Sequence, residues 1–523
     1  MPSSCLPGRL PPLRWLALAA AVATGGSAGM ALAQESVAQS QGAQPQGGRA
    51  HELTLSIGAS ETLLASVRPG GSRVDEAVTQ ITPTLRWSSY SGRVRGSVNY
   101  SAGLRQYVGD NDARTDKNTV DHSLAANVRA ELVERAAFVD ISGSIGQQAI
   151  SALDTSASAS YFQPNGNRSE VYNVSVSPYV VGSLAGLASY ELRYALSASD
   201  GTDQSFSRRT NDSLSLNLRG QSLGVFGWGA QLNAGKSDFG DRGENRTDRA
   251  NLDVSIRPDV DWRFVINGGQ ERTNVGTLAS TTYANWGASG SWTPSPRTRV
   301  DFGTERRYFG DGHRLAFEYR TPRTVWRYSD IRDVNSGNQL GGVGQPVTLF
   351  QLFFAQFASF QPDPVLREQF VLQYLASIGR DPNEVLFTDV VNRGVSVQRR
   401  RDLSAGWIGV RTTVTVQAFA NDNRLLSGPN TGSSVGGSDQ QEGVNVSASY
   451  RLTPQTALSA GLTGSRSRVA GGLGTTQKTA SLGLSSQLGQ RTTAAMSGRY
   501  LVVNGGADPY REATVTASIS LRF

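Results

Sequence analysis

Apolar and polar side chains alternate at every second position along most of this chain. Because successive side chains of an extended strand point to opposite faces, a period of two gives each strand one apolar and one polar face. Repeated segments of about ten such residues are typical of transmembrane β-barrels. The alternation is clearest at 124–132, 188–198, 214–218, 250–256, 262–266, 284–292, 444–452 and 480–488.

The segment 513–523 shows the same alternation and ends on an aromatic residue. Its apolar positions include Ile519, Leu521 and Phe523. The segment resembles the terminal strand by which Gram-negative outer-membrane barrels are recognised for assembly, and we interpret these three residues as an assembly signal. The alternative is the half-buried edge strand of a soluble protein.

The connections between the predicted strands alternate between tight and long. Counted back from Phe523, tight connections are predicted at 488–491, 453–455, 321–323, 293–297, 257–259 and 90–93. Longer polar connections are predicted at 60–77, 108–120, 150–168, 199–211, 237–248 and 421–441. Outer-membrane barrels have short periplasmic turns and longer external loops. The sequence therefore predicts an all-β fold, a transmembrane antiparallel up-and-down β-barrel over 51–523, with about 22 strands (20–22) and both termini in the periplasm.

One segment, 334–393, departs from the alternation. Asp363 suits a helix N-cap, Pro364 the first helical position and Gly379 the position after the C-cap. Apolar residues between them follow helical spacing. We predict a two-helix hairpin inserted in an external connection, either as a plug in the lumen or as a lid. The helical positions named in this prediction are Leu366, Phe370, Tyr374 and Ile378.

The amino terminus has the features of a secretory signal. Basic residues precede an apolar stretch, and Ala31-Leu-Ala33 forms a cleavage site, which predicts a signal peptide over 1–33. The polar segment 34–50 is interpreted as a flexible periplasmic lead-in. The one cysteine, Cys5, would be lost on cleavage, so the mature chain is predicted to lack disulfides. The predicted localisation is the Gram-negative outer membrane.

Four sequence features together resemble the outer-membrane barrels associated with PEP-CTERM and exopolysaccharide systems. They are Leu53–Ile57 with Thr82–Leu85, the segment 319–326, the segment from Asp363 to Gly379, and the final Ser520–Phe523. The resemblance covers most of the mature chain. It implies a conduit or scaffold for envelope exopolysaccharide or protein export, with polysaccharide or export-system proteins as partners. It implies no catalytic residues.

Positions opposite the apolar faces are expected to line the lumen, and many are arginine. The formal net charge of the chain is +7. A positive lumen would favour anionic solutes or an acidic polysaccharide, whereas arginine–carboxylate ladders would simply satisfy polar groups inside the barrel. The candidate luminal residues are Arg86, Arg95, Arg105, Arg129, Arg193, Arg219, Arg257, Arg263, Arg299 and Arg307.

Other chemistry is weakly supported by the sequence. His51, His122 and His313 are far apart and have no metal-ligand spacing, and adjacent His122 and Ser123 would point to opposite faces of a strand. We therefore predict no enzyme, metal, cofactor or nucleic-acid partner. Expected partners are outer-membrane lipid and the barrel-assembly machinery. The alternative functions are a general diffusion porin for anionic solutes and, more distantly, a barrel hydrolase.

Overall fold

The computed structural model describes the chain from His51 onward, with gaps at several connections. The described residues are 51–67, 73–89, 91–109, 118–149, 168–202, 208–221, 224–240, 243–275, 279–335, 350, 353, 354, 357, 367, 371, 395–427, 438–469, 474–506 and 509–523. The predicted signal peptide and lead-in, 1–33 and 34–50, lie outside them. Within these ranges, no helix combines the length and the hydropathy needed to cross a bilayer.

The described chain is built almost entirely of strands. In chain order they are β1 His51–Val67, β2 Arg73–Ser89, β3 Val94–Gly109, β4 Asn118–Val133, β5 Ala137–Ala149, β6 Arg168–Leu184, β7 Ala188–Gly201, β8 Arg209–Gly220, β9 Phe226–Asp238, β10 Glu244–Asp259, β11 Trp262–Thr273, β12 Thr281–Ser295, β13 Thr298–Arg307, β14 Gly310–Arg320, β15 Thr324–Asn335, β16 Val395–Ile408, β17 Thr412–Ser427, β18 Ser438–Arg451, β19 Thr456–Val469, β20 Thr475–Gln487, β21 Thr492–Gly505 and β22 Tyr510–Arg522.

The strands form one closed antiparallel sheet. Each strand pairs with the next in sequence, and β1 pairs with β22 over the register from Ser56↔Arg522 to Val67↔Arg511. Closure leaves no free edge, so every strand has a hydrogen-bonding partner on both sides. The predicted antiparallel up-and-down barrel with 22 strands is confirmed.

The two faces of the sheet differ in the way the alternation predicts. On β1, Leu53, Leu55 and Ile57 point outward and are exposed, whereas Thr62 and Leu64 point inward and are buried. Large apolar side chains are stable on an exposed outer face only if that face meets an apolar medium. We call the end that holds Phe523 and the tight connections the turn end, and the opposite end the loop end.

Several predicted connections are wrong in extent. The connection predicted at 60–77 is mostly strand, since β1 continues to Val67 and pairs there with Arg73. Its small polar residues resemble a loop, yet Thr62 and Leu64 still alternate with an exposed Leu63. The connection predicted at 237–248 is likewise shortened by β9 and β10. The turns predicted at 257–259 and 293–297 shift toward the following strand, because β10 and β12 continue through irregular pairings near their proline residues.

The predicted helical hairpin is not seen as an element of the described structure. Between β15 and β16, the structure describes Phe350, Phe353, Phe354, Arg367 and Val371 in helical conformation and Phe357 in a 3₁₀ turn. The helix-defining residues Asp363, Pro364, Leu366, Phe370, Tyr374, Ile378 and Gly379 lie outside the described residues. The hairpin therefore stays a prediction.

Candidate functional site in the lumen

The inner wall of the barrel is polar and carries most of the charged clusters. On β13, Arg299, Asp301, Glu305 and Arg307 alternate with the outward-facing, exposed Phe302. On the other strands, too, each candidate arginine alternates with exposed apolar residues that point outward, so each arginine points into the lumen. These are Arg86, Arg95, Arg105, Arg129, Arg193, Arg219, Arg257, Arg263, Arg299 and Arg307.

One luminal network lies toward the turn end, across β4, β5 and β7. Arg129 donates to both carboxylate oxygens of Asp140, at 2.7 and 3.2 Å, and Arg193 donates to Asp140 at 2.9 Å. Arg193 also donates to Glu191 at 3.0 Å. The guanidinium of Arg193 lies 3.9 Å from the ring centroid of Tyr179 on β6. The network fixes two arginines with two carboxylates and a ring, so it has no net charge.

A second network lies toward the loop end, across β11, β13 and β15. Arg307 donates to Glu271 at 2.5 and 3.2 Å and to Asp333 at 3.3 Å. The side chain of Glu271 has an exposed fraction of 0 %, so its charge is balanced entirely within the protein. Glu305 contacts Arg307 at 3.7 Å and also pairs with Arg249 of β10. This network is an arginine–carboxylate ladder of the kind expected if the luminal arginines satisfy polar groups inside the barrel.

The other luminal arginines are less fully compensated. Arg105 pairs with Asp121, and Arg299 donates to Asp301 at 2.7 and 3.1 Å. Five more form no ion pair with another described residue, and this leaves a positive excess on the inner wall. They are Arg86, Arg95, Arg219, Arg257 and Arg263.

A recess of about 330 Å³ opens in the inner wall between β13 and β16. Its walls combine cations and carboxylates, and Arg327 contacts Glu318 at 3.5 Å. Arg314 is exposed and has no ion pair with another described residue, so it is the free cation of this recess. A volume of this size and polarity suits a small polar ligand or one unit of a polymer. The lining residues include Arg299, Asp301, Arg314, Glu318, Arg327, Asp402 and Ser404.

The segment between β15 and β16 reaches the inner wall near the turn end. Phe353, Phe357 and Val371 form a buried cluster, and Ile408 packs against it. Ile408 is the last residue of β16 and follows Trp407, which faces outward and is 42 % exposed. Because adjacent side chains of a strand alternate, Ile408 points into the lumen. The cluster therefore lies inside the barrel, although its segment leaves and re-enters the wall at the loop end.

The inner faces of β16, β17 and β18 are also covered near the turn end. Ser404, Thr415 and Ser447 are among their buried inward residues, whereas Ser123 and Ala125 on the inner face of β4 are exposed. The covered side of the lumen is the side on which the Phe353 cluster packs.

An apolar cluster also crosses the loop end. Phe239 after β9, Val275 after β11 and Val395 at the start of β16 are buried together. Tyr308, Val334 and Leu426 pack around them. These residues come from connections and strand ends of several strands, so they pack those parts of the loop end together.

The histidines lie apart from the luminal networks. His122 points outward and its Nδ1 atom lies 2.8 Å from the hydroxyl of Tyr100, whereas Ser123 points into the lumen. His313 Nε2 contacts Asp330 on the outer face at 3.0 Å. In the described ranges, no group of three or more His, Cys, Asp or Glu side chains is arranged to hold a metal ion.

Sequence reasoning missed Arg314, Glu271 and Ile408. Arg314 and Glu271 alternate with apolar outward residues on β14 and β11, so the same rule would have found them. Ile408 carries a different signal, because Trp407 and Ile408 are adjacent apolar residues and so break the alternation. Such a break indicates an apolar contact on the luminal side.

Comparison with known proteins adds little to this geometry. No family model matches the chain, and no curated protein sequence matches it. Among solved structures, it is similar to the FrpB iron transporter of Neisseria meningitidis, with 8% identity, a TM-score of 0.48, and coverage of 90% of this chain and 82% of that one. OccK2 (OpdF) of Pseudomonas aeruginosa gives 12% identity and a TM-score of 0.31, with coverage of 90% and 98%. At these values the similarity carries no functional assignment.

Proposed function

We propose that this chain is an outer-membrane β-barrel that serves as a plugged conduit or scaffold in envelope exopolysaccharide or protein export. The outward apolar face supports placement in a membrane, and the asymmetry of the connections supports an outer membrane with the turn end in the periplasm. The observation that carries the proposal is the contact of Phe353, Phe357 and Val371 with Ile408 inside the lumen. A barrel of about 22 strands encloses a wide lumen, and natural examples of this size are plugged.

The cargo class follows from the charge of the inner wall. The turn-end network is neutral and the loop-end network has two arginines and three carboxylates, a formal charge of −1, but the uncompensated arginines and the free Arg314 leave the wall positive. A positive wall concentrates anions, and guanidinium groups bind carboxylates in a directed way. We infer that the cargo is an acidic polysaccharide or an acidic segment of an exported protein. The resemblance to exopolysaccharide-associated barrels agrees with this inference.

A general diffusion porin for anionic solutes is the second candidate. The same uncompensated arginines favour it, because an anion-selective pore needs a positive wall but no plug. The two candidates differ in the role of the Phe353 cluster. In the conduit the cluster blocks passage at rest, whereas in the porin a continuous water path passes beside it.

Single-channel recording in planar bilayers separates the two candidates. The conduit predicts little or no steady conductance from the intact protein and a large steady conductance after deletion of 336–394. Phe353→Asp, which places a charge in the apolar contact with Ile408, is the milder variant and is expected to give flickering openings. Steady conductance from the intact protein, unchanged in both variants, would support the porin. For the conduit, addition of an acidic oligosaccharide to the variant that lacks 336–394 should block the current.

The export role needs a test in cells. A strain that lacks the gene is expected to lose surface polysaccharide or surface-displayed protein, and the intact gene should restore it. A strain that carries only Phe353→Asp is expected to become sensitive to large antibiotics, since an unplugged barrel admits them. Unchanged surface composition in the deletion strain would contradict the export role.

A further inference from the structure

The outer face of the barrel changes from apolar to strongly basic along β16. Going from the turn end, its outward residues include Trp407 and Leu403, which are exposed, and then Arg401 and Arg399. On β13 the outward Arg306 lies opposite Trp286 of β12, which is 55 % exposed. Tryptophan is typical of the interface between lipid tails and headgroups. These arginines therefore lie at the loop-end border of the apolar face.

Five outward arginines on β13, β15, β16 and β17 form what we call the loop-end arginine patch. They are Arg306, Arg332, Arg399, Arg401 and Arg424. The outward carboxylates on these strands and on β14 are Asp311, Asp330 and Asp422. Five positive and three negative charges leave the patch with a net charge of 5 − 3 = +2.

Two of these carboxylates are already paired with arginines of β16. Asp330 accepts from Arg399 at 3.1 and 2.7 Å and from His313 at 3.0 Å. Asp422 accepts from Arg401 at 3.0 Å. These pairs hold the two arginines of β16 against the wall, with side chains that are 41% exposed for Arg399 and 42% exposed for Arg401.

The remaining arginines have no such partner among the described residues. Arg332 lies directly opposite Arg399 in the strand register and donates instead to the backbone carbonyl of Asp311. Like charges placed opposite each other on one face of a sheet destabilise the pairing. Arg306 and Arg424 are exposed and form no ion pair with another described residue. The patch therefore carries positive charge that the protein does not compensate.

We propose that the loop-end arginine patch binds the phosphate groups of an anionic glycolipid in the outer leaflet of the membrane. Uncompensated charge next to lipid tails is costly, and an anionic headgroup at the same depth removes that cost. The fork geometry of guanidinium matches phosphate oxygens, and Arg306, Arg332 and Arg424 present forks that form no ion pair with another described residue. The proposal uses the membrane placement given above but not the export role.

The outer face on the opposite side of the barrel does not carry a comparable arginine patch among the described residues. There the outward polar residues include Glu61, which accepts from Thr79 at 2.6 Å, and Glu170, which accepts from Tyr172. The outward Arg73 on this side is paired with Asp75 at 2.8 Å, so its positive charge is compensated within the protein. A second copy of this chain fits the patch less well, because a symmetric contact would bring the same positive patch against itself.

The test uses full-length protein in detergent, incubated with vesicles of phosphatidylcholine that contain lipopolysaccharide. After repurification, native mass spectrometry measures how much glycolipid each protein molecule retains. The double variant Arg306→Gln/Arg424→Gln breaks no ion pair between described residues, so it should fold. Each removed arginine near a membrane surface should weaken binding about fivefold, so the double variant should bind roughly 25-fold more weakly. Arg73→Gln, on the outer face at the loop end of β2 and paired with Asp75 at 2.8 Å, is the matched control.

Three further arms separate the alternatives. The first arm uses dephosphorylated glycolipid, which the intact protein and the double variant should retain equally weakly. If the intact protein retains the phosphorylated and the dephosphorylated glycolipid equally well, the proposal is overturned. Retention should persist in excess inorganic phosphate, and displacement by inorganic phosphate would overturn it in favour of a site for free anion. A change of oligomeric state in the double variant with unchanged glycolipid retention would assign the patch to contact between copies. Single-channel results leave this test unaffected, so the failure of the export role and the failure of this proposal are distinguishable.

Discussion

The backbone N–H of Phe523 donates to the carbonyl of Leu55 at an N···O distance of 2.8 Å, one residue beyond the last residue pair of β1 and β22. This bond belongs to the seam that closes the barrel. The aromatic ring of Phe523 takes no part in it and is 65 % exposed on the outer face. A substitution at Phe523 can therefore remove the aromatic ring without removing the backbone bond that helps to close the barrel.

Phe523→Ala is expected to reduce assembly in cells while leaving the folded barrel intact. The backbone bond to Leu55 survives the substitution, but the ring proposed as part of the assembly signal is lost. Heat-modifiable migration on gels measures the assembled fraction in membranes, and refolding of purified protein in detergent measures intrinsic folding. Normal assembly in cells would contradict the role of Phe523, and a matching loss in detergent would make its role structural.

Glu271→Gln is expected to destabilise the barrel by about 3 kcal/mol, because it leaves the largely buried Arg307 without its main carboxylate partner. The carboxylates that remain beside Arg307 are farther away, at 3.3 Å for Asp333 and 3.7 Å for Glu305. Urea unfolding in detergent micelles measures the loss of unfolding free energy.

Glu52→Gln is the matched control for that variant. Glu52 accepts from Arg522 at 2.7 Å, and both side chains are more than half exposed. An exposed ion pair contributes at most about 1 kcal/mol. Equal losses in the two variants would show that burial of Glu271 does not determine its contribution.

The barrel could be predicted from the sequence because its determinants are local. An outward apolar residue at every second position and a turn residue at each reversal specify strands one at a time, and pairing with the next strand needs no further information. The boundaries at 60–77 failed because Thr62 and Leu64 satisfy the alternation on the inner face with types that loops also use. Local pattern alone does not separate the two cases.

The luminal site was less accessible to sequence reasoning because its partners are distant in the chain. The alternation places Arg307 on the inner face, but its pairing with Glu271 of β11 depends on the register across two intervening strand pairs. Packing of Ile408 against the Phe353 cluster depends on where the segment after β15 enters the lumen, and no local period encodes that. The free cation Arg314 is defined by the absence of an ion pair with other described residues, which only the structure shows.

Gly269→Ala is expected to destabilise the barrel because β10 approaches this residue closely. A Cβ atom at Gly269 would lie 1.9 Å from the carbonyl oxygen of Ala250 and 2.4 Å from the side-chain amide of Asn251. Because the first contact is with backbone, the strand itself must shift, at a cost of about 1–3 kcal/mol. Gly498→Ala is the control, since nothing lies within 4 Å of its added Cβ atom. In urea unfolding, Gly269→Ala should lower the midpoint and Gly498→Ala should not. Equal shifts in the two variants would contradict the proposed crowding.

Asp140→Asn is expected to make the open barrel more anion-selective. The substitution removes the carboxylate that Arg129 and Arg193 share, so the turn-end network changes from neutral to a net charge of +1. In the background of the deletion of 336–394, reversal potentials in a KCl gradient measure the selectivity. The shift should shrink as salt rises, because at 1 M the screening length falls to about 3 Å. Asp75→Asn makes the same charge change on the outer face and should leave the reversal potential unchanged. Equal shifts in the two variants would mean that the current does not pass the Arg129–Asp140–Arg193 network.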